Sequence, residues 1–210
     1  ATGDWDFIKD YGAEIIFEVS RFLYSHAYFK KDKNRFEFIR LLGPDEYHEN
    51  VDNNAFTNYQ AKYCLDKAIG IYEKLQEESP IHLNELMNKL SVSKKEIADW
   101  REMAQLIYLP KPDGKTGLIE QFDGYFDLED TRPEELEKRL LDPGEYWGWP
   151  NGVSVETQVI KQADVIQLFV LHDIFDEDIL KANYDYYEPR TQHGSSLSPS
   201  AYALIANKIG

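Results

Sequence analysis

Cysteine is nearly absent: Cys64 stands alone among 210 residues, so no internal disulfide framework can hold the chain. Its setting in Tyr63-Cys64-Leu65 predicts a small buried hydrophobe rather than a nucleophile. Basic residues are scarce, 23 Lys and Arg against 38 Asp and Glu, for a formal net charge of −15. Carboxylates would outvote any basic face, which argues against a nucleic-acid partner. Long apolar runs are also lacking. The longest, roughly Val153 to Phe175, is interrupted by Glu156, Lys161, Asp164 and His172, and no signal peptide opens the chain. No membrane span is predicted, and a cytoplasmic location is the expectation. Strand alternation, internal repeats and low-complexity segments are missing too, which tells against a solenoid scaffold.

Aromatic residues are plentiful: 14 Tyr, 11 Phe and 4 Trp. Many stand beside Asp, Glu, Asn or Gln, a pairing that suits sugar clefts and equally an aromatic-rich helical core. Apolar residues recur at spacings of three and four from Tyr11 to Phe29, from Ala55 to Glu77 and from Ile81 to Leu90. Ser93-Lys94-Lys95-Glu96 matches a capping box opening a helix to about Tyr108. Helical spacing returns in Val155 to His172, Glu177 to Tyr187 and Pro199 to Lys208, the last with Ser198 as N-cap. The stretch from Lys111 to Asn151 has one weak helical patch, Glu134 to Leu141, and is read as an irregular excursion over a cleft. The fold class is therefore all-α, and periodicity alone leaves bundle, solenoid and α/α toroid open.

The loop from Lys30 to Asn54 carries the densest chemistry. Gly43-Pro44-Asp45-Glu46-Tyr47-His48-Glu49-Asn50-Val51-Asp52-Asn53-Asn54 packs carboxylates, an imidazole and carboxamides into a dozen positions. Cleaving a glycosidic bond requires a carboxylic acid to protonate the leaving oxygen, and crowded carboxylates beside aromatics supply the raised pKa such an acid needs. Glu46 is the candidate acid. A metal site using Asp45, Glu46, His48 and Glu49 is a second reading, although no helical ligand spacing supports it. A third is a network that only braces the fold.

Two later segments add candidates. Val159-Ile160-Lys161-Gln162-Ala163-Asp164-Val165 sets three polar side chains in an apolar run, a cost that suggests either ligand contacts or a buried Lys161–Asp164 pair fastening two helices. Thr191-Gln192-His193-Gly194-Ser195-Ser196-Leu197-Ser198-Pro199 is a donor-rich turn leading into a helix, able to hold an oxyanion or simply to cap the helix.

The segment Gly43-Pro44-Asp45-Glu46-Tyr47-His48-Glu49 with Val51-Asp52-Asn53-Asn54-Ala55-Phe56-Thr57-Asn58-Tyr59 resembles the signature of glycoside hydrolase family 65, inverting α-glucosyl disaccharide phosphorylases. The resemblance implies that Glu46 is the general acid and that Tyr47, His48 and Glu49 line the acceptor-sugar side. It implies Lys161 and Gln162 against the donor glucose, and His193, Ser195 and Ser196 on the attacking phosphate. No cofactor or metal is implied, inorganic phosphate being a co-substrate. The implied fold is the C-terminal portion of an (α/α)6 barrel spanning residues 1–210, without the N-terminal β-sandwich, the first barrel helices or the C-terminal β domain. Such a partial barrel is expected to show apolar helix faces and to associate with the missing part or with a second copy. Glu188, five residues before His193, keeps a hydrolytic base open, and a non-catalytic helical scaffold is the rival from another class.

Overall fold

The structure, a computed structural model, describes residues 3–210. Helices dominate, and the chain forms two compact units, residues 1–37 with 59–108, and residues 38–58 with 109–210.

In the first unit, α1 (Trp5–Phe7) runs through a π turn (Ile8–Gly12) into α2 (Ala13–His26). The Asp4 carboxylate caps the start by accepting from Phe7 N at 2.9 Å. The chain then forms an antiparallel hairpin of β1 (Tyr28–Lys30) and β2 (Arg35–Glu37), where the sequence predicts helix to Phe29 and then loop. Most of α3 (Ala55–Glu78), α4 (Pro80–Leu90) and α5 (Lys94–Leu106) complete the unit. The predicted capping box is present, Glu96 N donating to Ser93 Oγ at 3.2 Å and Ser93 N to Glu96 Oε2 at 2.9 Å. Phe17 and Trp100, both fully buried, meet at 5.7 Å between ring centroids, and burial of such rings supplies much of the unit's stability. Cys64 is half-buried, and burial pushes its thiol pKa up, which fits an inert side chain. Phe7, Tyr11, Ile15 and Phe22, four, four and seven residues apart along α1, the π turn and α2, are more than half exposed and leave an apolar stripe bare.

The second unit departs further from its predicted elements. The polar loop is bracketed by β3 (Leu41–Leu42) and β4 (Glu49–Val51), an antiparallel pair with a bulge. Only Val165–Leu171 of the predicted helix from Val155 is helical, as α7. Residues before it run irregularly, because their backbone bonds to other segments: Gln158 N donates to Glu129 O at 2.9 Å and Ile160 N to Arg190 O at 3.0 Å. The excursion from Lys111 to Asn151 does not merely cover a cleft. Ile119, Tyr125 and Leu136 are fully buried, the last on the short α6 (Pro133–Glu137), and Trp147 packs with Leu136, Tyr47 and Val159. Asn183 ties the excursion down, accepting from Ile119 N at 2.9 Å and donating to Gly117 O at 2.9 Å. Helices α8 (Glu177–Tyr187) and α9 (Ser198–Lys208) pack with α7. Ser198 begins α9 rather than capping it: its Oγ accepts from Ala163 N at 3.2 Å. Among the described residues no helix is long and apolar enough to cross a membrane.

Candidate active site

The second unit gathers the polar loop, the Lys161 segment and the His193 turn around two buried carboxylates. Gly43 opens the loop where no side chain fits: a Cβ there would lie 2.5 Å from Asn54 Nδ2 and 2.7 Å from Asp164 Oδ2. The next residue but one, Asp45, turns inward and is 1% exposed. Its Oδ1 accepts from Lys161 N at 2.8 Å and Tyr47 N at 3.1 Å, and its Oδ2 from Gln121 Nε2 at 3.2 Å. His48 Nδ1 stands 2.6 Å from Asp45 Oδ2, and His48 Nε2 lies 2.8 Å from Thr157 O. A carbonyl only accepts, so Nε2 carries a proton, and Nδ1 shares a hydrogen bond with the Asp45 carboxyl. Burial works against the His48 charge, but the Asp45 carboxylate, the Thr157 carbonyl and Asp164 together raise its pKa.

Asp164, fully buried, accepts from Asp45 N at 3.1 Å and from Asn54 Nδ2 at 3.0 Å. Burial, and then repulsion from Asp45, push its carboxyl up to about 7. Asn54 serves two ends at once, because its Oδ1 also accepts from Thr57 N at 2.9 Å and caps the first turn of α3.

Glu46 faces the other way. Its side chain is 47% exposed, and its Oε2 accepts from Lys161 Nζ at 2.6 Å. The carboxylates crowded in sequence are therefore parted in space, Asp45 inward and Glu46 outward, so the crowding expected around Glu46 is not what surrounds it. The hydrogen bond it donates to Glu46 holds the Lys161 ammonium above its ordinary pKa. Tyr146 Oη donates to Glu46 O at 2.6 Å, and Lys161 Nζ stands 5.8 Å from the Tyr146 ring centre. The predicted Lys161–Asp164 pair does not form, since each has another partner.

The Lys161 segment runs parallel to the turn that follows α8. Gln192 N donates to Ile160 O at 2.8 Å and Gly194 N to Lys161 O at 3.0 Å. A Cβ on Gly194 would meet Gln192 Oε1, the end of the side chain that accepts from Tyr47 Oη. His193, in the left-handed region at φ 57°, is half-buried, with Nδ1 3.0 Å from Ser198 Oγ. Ser195 is half-buried and its Oγ accepts from Leu197 N at 3.3 Å, while Ser196 is exposed at the start of α9. Gln162 Nε2 donates to Pro44 O at 2.5 Å, and Gln162 Oε1 is buried with no partner. A cavity of about 340 Å³ adjoins it, lined by Pro44, Phe56, Gln162, Gln167 and the Leu197–Ser200 turn.

Not every predicted contact residue keeps a free surface. His48 is 4% exposed with both nitrogens bonded inside the protein, so it braces the loop instead of meeting a sugar. Tyr47 is as deeply buried, its Oη donating to Gln192 Oε1 at 3.1 Å and its pKa pushed up by burial. Glu49, half-buried on β4, and Glu46 remain on the open side. Sequence reasoning missed Asp45 and Asp164 as the centre of the site. The signal for Asp164 was its apolar flank, Ala163 and Val165. Among the described residues, no three side chains of His, Cys, Asp and Glu are grouped as a metal ion would require.

Known proteins resemble this chain in sequence and fold. The profile of the glycosyl hydrolase family 65 central catalytic domain matches residues 1–210. A 1,2-alpha-glucosylglycerol phosphorylase of Bacillus selenitireducens is 55% identical over 210 residues, covering 99% of this chain and 27% of the relative. A kojibiose phosphorylase of Thermoanaerobacter brockii is 42% identical over 215 residues, covering 100% of this chain and 27% of the relative. A solved structure described as a putative kojibiose phosphorylase from human microbiome superposes with a TM-score of 0.86 at 34% identity, covering 100% of this chain and 28% of that one. The chain thus spans about a quarter of the length of the relatives it matches.

Proposed function

The chain belongs to glycosyl hydrolase family 65, and from that premise we propose that it carries the acid side and the phosphate side of an inverting α-glucoside phosphorylase. The single observation behind this reading is that the fold sets Glu46, Lys161 and the His193 turn side by side, although Glu46 lies more than a hundred residues before the other two in sequence. An α-linked glucosyl donor lies with its glucose against Lys161 and Gln162, whose buried unpartnered Oε1 is an acceptor waiting for a hydroxyl. Glu46 gives its proton to the departing oxygen, and Lys161 returns a positive neighbour to the carboxylate that remains.

Phosphate attacks the anomeric carbon from the opposite face. Ser198 Oγ engages His193 Nδ1, which leaves the Nε2 edge of the ring to meet an anion. Ser195, Ser196 and the N-terminus of α9 add further donors. Because phosphate is itself an anionic nucleophile, one protein carboxylate suffices, and the products are β-glucose 1-phosphate and the free acceptor. Glu49 and Tyr146 stand on the acceptor side, near enough for Glu49 to raise the Tyr146 pKa after burial and Glu46 have acted.

The domain reading that accompanies this is a C-terminal portion of an (α/α)6 barrel, and the bare stripe of Phe7, Tyr11, Ile15 and Phe22 supports its association with further chain or a second copy. The test is an assay of the full-length enzyme on glucosylglycerol, kojibiose, nigerose and trehalose with and without phosphate. Acceptor release that requires phosphate is expected, with the His193→Ala variant showing a KM for phosphate raised ~10-fold or more. Release of free glucose without phosphate would favour a hydrolase instead.

A further inference from the structure

Glu46 and Lys161 meet 115 residues apart in sequence, and neither sits on a helix or a strand. Irregular backbone keeps a reacting group in place only when its neighbours are tied down, and proton transfer is lost with small displacements. One side chain ties down both segments. Asp45 Oδ1 accepts from Tyr47 N, the residue after Glu46, and from Lys161 N, the residue whose ammonium grips Glu46. His48 Nδ1 and Gln121 Nε2 hold the other oxygen, and Asp45 N donates to Asp164. His48 is fixed in turn by Thr157 O. With four donors on its two oxygens, this carboxylate has no capacity left for a ligand and no surface to offer one.

We propose that Asp45, oriented by His48, is a positioning residue that sets the Glu46 carboxyl against the leaving oxygen without touching substrate. The inference rests on Glu46 being the acid. Losing Asp45 leaves the N–H groups of Tyr47 and Lys161 without their acceptor, so the loop carrying Glu46 and the segment carrying Lys161 are free to part. The phosphate side keeps supports that do not pass through Asp45 or Lys161: Ile160 N on Arg190 O, Gln192 N on Ile160 O, and Ser198 Oγ against His193 Nδ1. The damage should therefore fall on protonation of the leaving group and spare the attack of phosphate.

Two donors separate those effects in the full-length enzyme. With an α-linked disaccharide, the bond from the anomeric carbon to the bridging oxygen breaks as Glu46 supplies a proton and a phosphate oxygen forms the new bond. With dinitrophenyl α-glucoside the same bonds break and form, but the phenolate leaves with the electron pair and needs no proton. Asp45→Ala is expected to lower kcat on the disaccharide ~100-fold, with KM little changed, and to lower turnover of the aryl glucoside less than ~5-fold. Asp45→Glu keeps the charge but displaces the oxygens by a methylene, and it should show the same selectivity at ~10-fold, which keeps the test open if the alanine variant fails to fold. Asp45→Asn retains an oxygen for both N–H groups and should recover most of the loss. Equal loss on both donors, or no loss on the disaccharide in either variant, overturns the proposal. Glu46→Gln is the reference: should it lose both donors alike, the acid assignment itself fails, whereas selectivity in Glu46→Gln that is absent in the Asp45 variants sinks only the positioning role.

Discussion

The two units bury different things. Among the described residues, every buried polar side chain except Ser20 and Glu37 lies in residues 38–58 or 109–210. Apart from Glu37, the first unit keeps its charges outside, many in pairs one helical turn apart such as Lys62–Asp66 at 2.9 Å and Lys95–Asp99 at 2.6 Å, which contribute little. Its stability comes from rings and aliphatic chains between amphipathic helices. The second unit takes Asp45, His48, Asn54, Gln121 and Asp164 out of water, and each needs partners to offset that cost. A cost of this kind accumulates where polar groups must stand in fixed places, so the first unit behaves as scaffold and the second as apparatus.

This contrast can be broken by substitution. The largest effect expected is from Glu46→Gln in the full-length enzyme, which should lower kcat for phosphorolysis ~1000-fold or more while leaving the unfolding midpoint unchanged. Retained turnover in a steady-state assay would end the assignment. Trp100→Ala, in the buried core of the first unit, should cost about 3–5 kcal/mol by denaturant titration yet leave kcat per folded molecule alone. A fall in kcat there would mean that the two units do not divide the work as described.

Stability against pH sharpens the contrast in the second unit. The fold raises Asp164 from 3.8 to about 7 and so holds its proton more tightly than the unfolded chain does. The corresponding stabilisation is complete below about pH 4 and is lost as pH rises through 7, a change on the order of a few kcal/mol. Thermal melts should show this decline, and Asp164→Asn should flatten it between pH 4 and 7. His48, also raised, contributes stability that is complete below about pH 6.5 and is lost as pH rises above that, so part of the decline at the upper end should survive in the variant. An unchanged slope from pH 4 to 7 would count against the buried charge network. The smallest effect belongs to Ser93→Ala in the first unit, about 1 kcal/mol from loss of the capping box, seen as a lower melting temperature with no shift in the pH profile.

How far the sequence could be read follows the same division. Helices α2, α3, α4, α5 and α8 announce themselves because their apolar spacing, caps and packing all agree locally. The run from Val155 misleads, since its alternation of apolar residues satisfies a helical period while its backbone bonds are made to Glu129 and Arg190. No local pattern reports a partner thirty residues away. The same holds for the site. Glu46, Lys161 and His193 stand out as residue types in unusual settings, and the fold does bring their segments together. Asp45 and His48 stand out equally, but whether such side chains turn toward solvent or inward depends on Gln121, Thr157 and Asp164, which only the folded chain supplies.

The stereochemistry of the first product distinguishes inversion by phosphate from the alternatives. Proton NMR of the full-length enzyme acting on an α-glucosyl disaccharide in phosphate buffer should show β-glucose 1-phosphate appearing first, in step with free acceptor. Appearance of α-glucose 1-phosphate, or of glucose at the same rate when phosphate is left out, would contradict a single carboxylic acid working with phosphate held at the His193 turn.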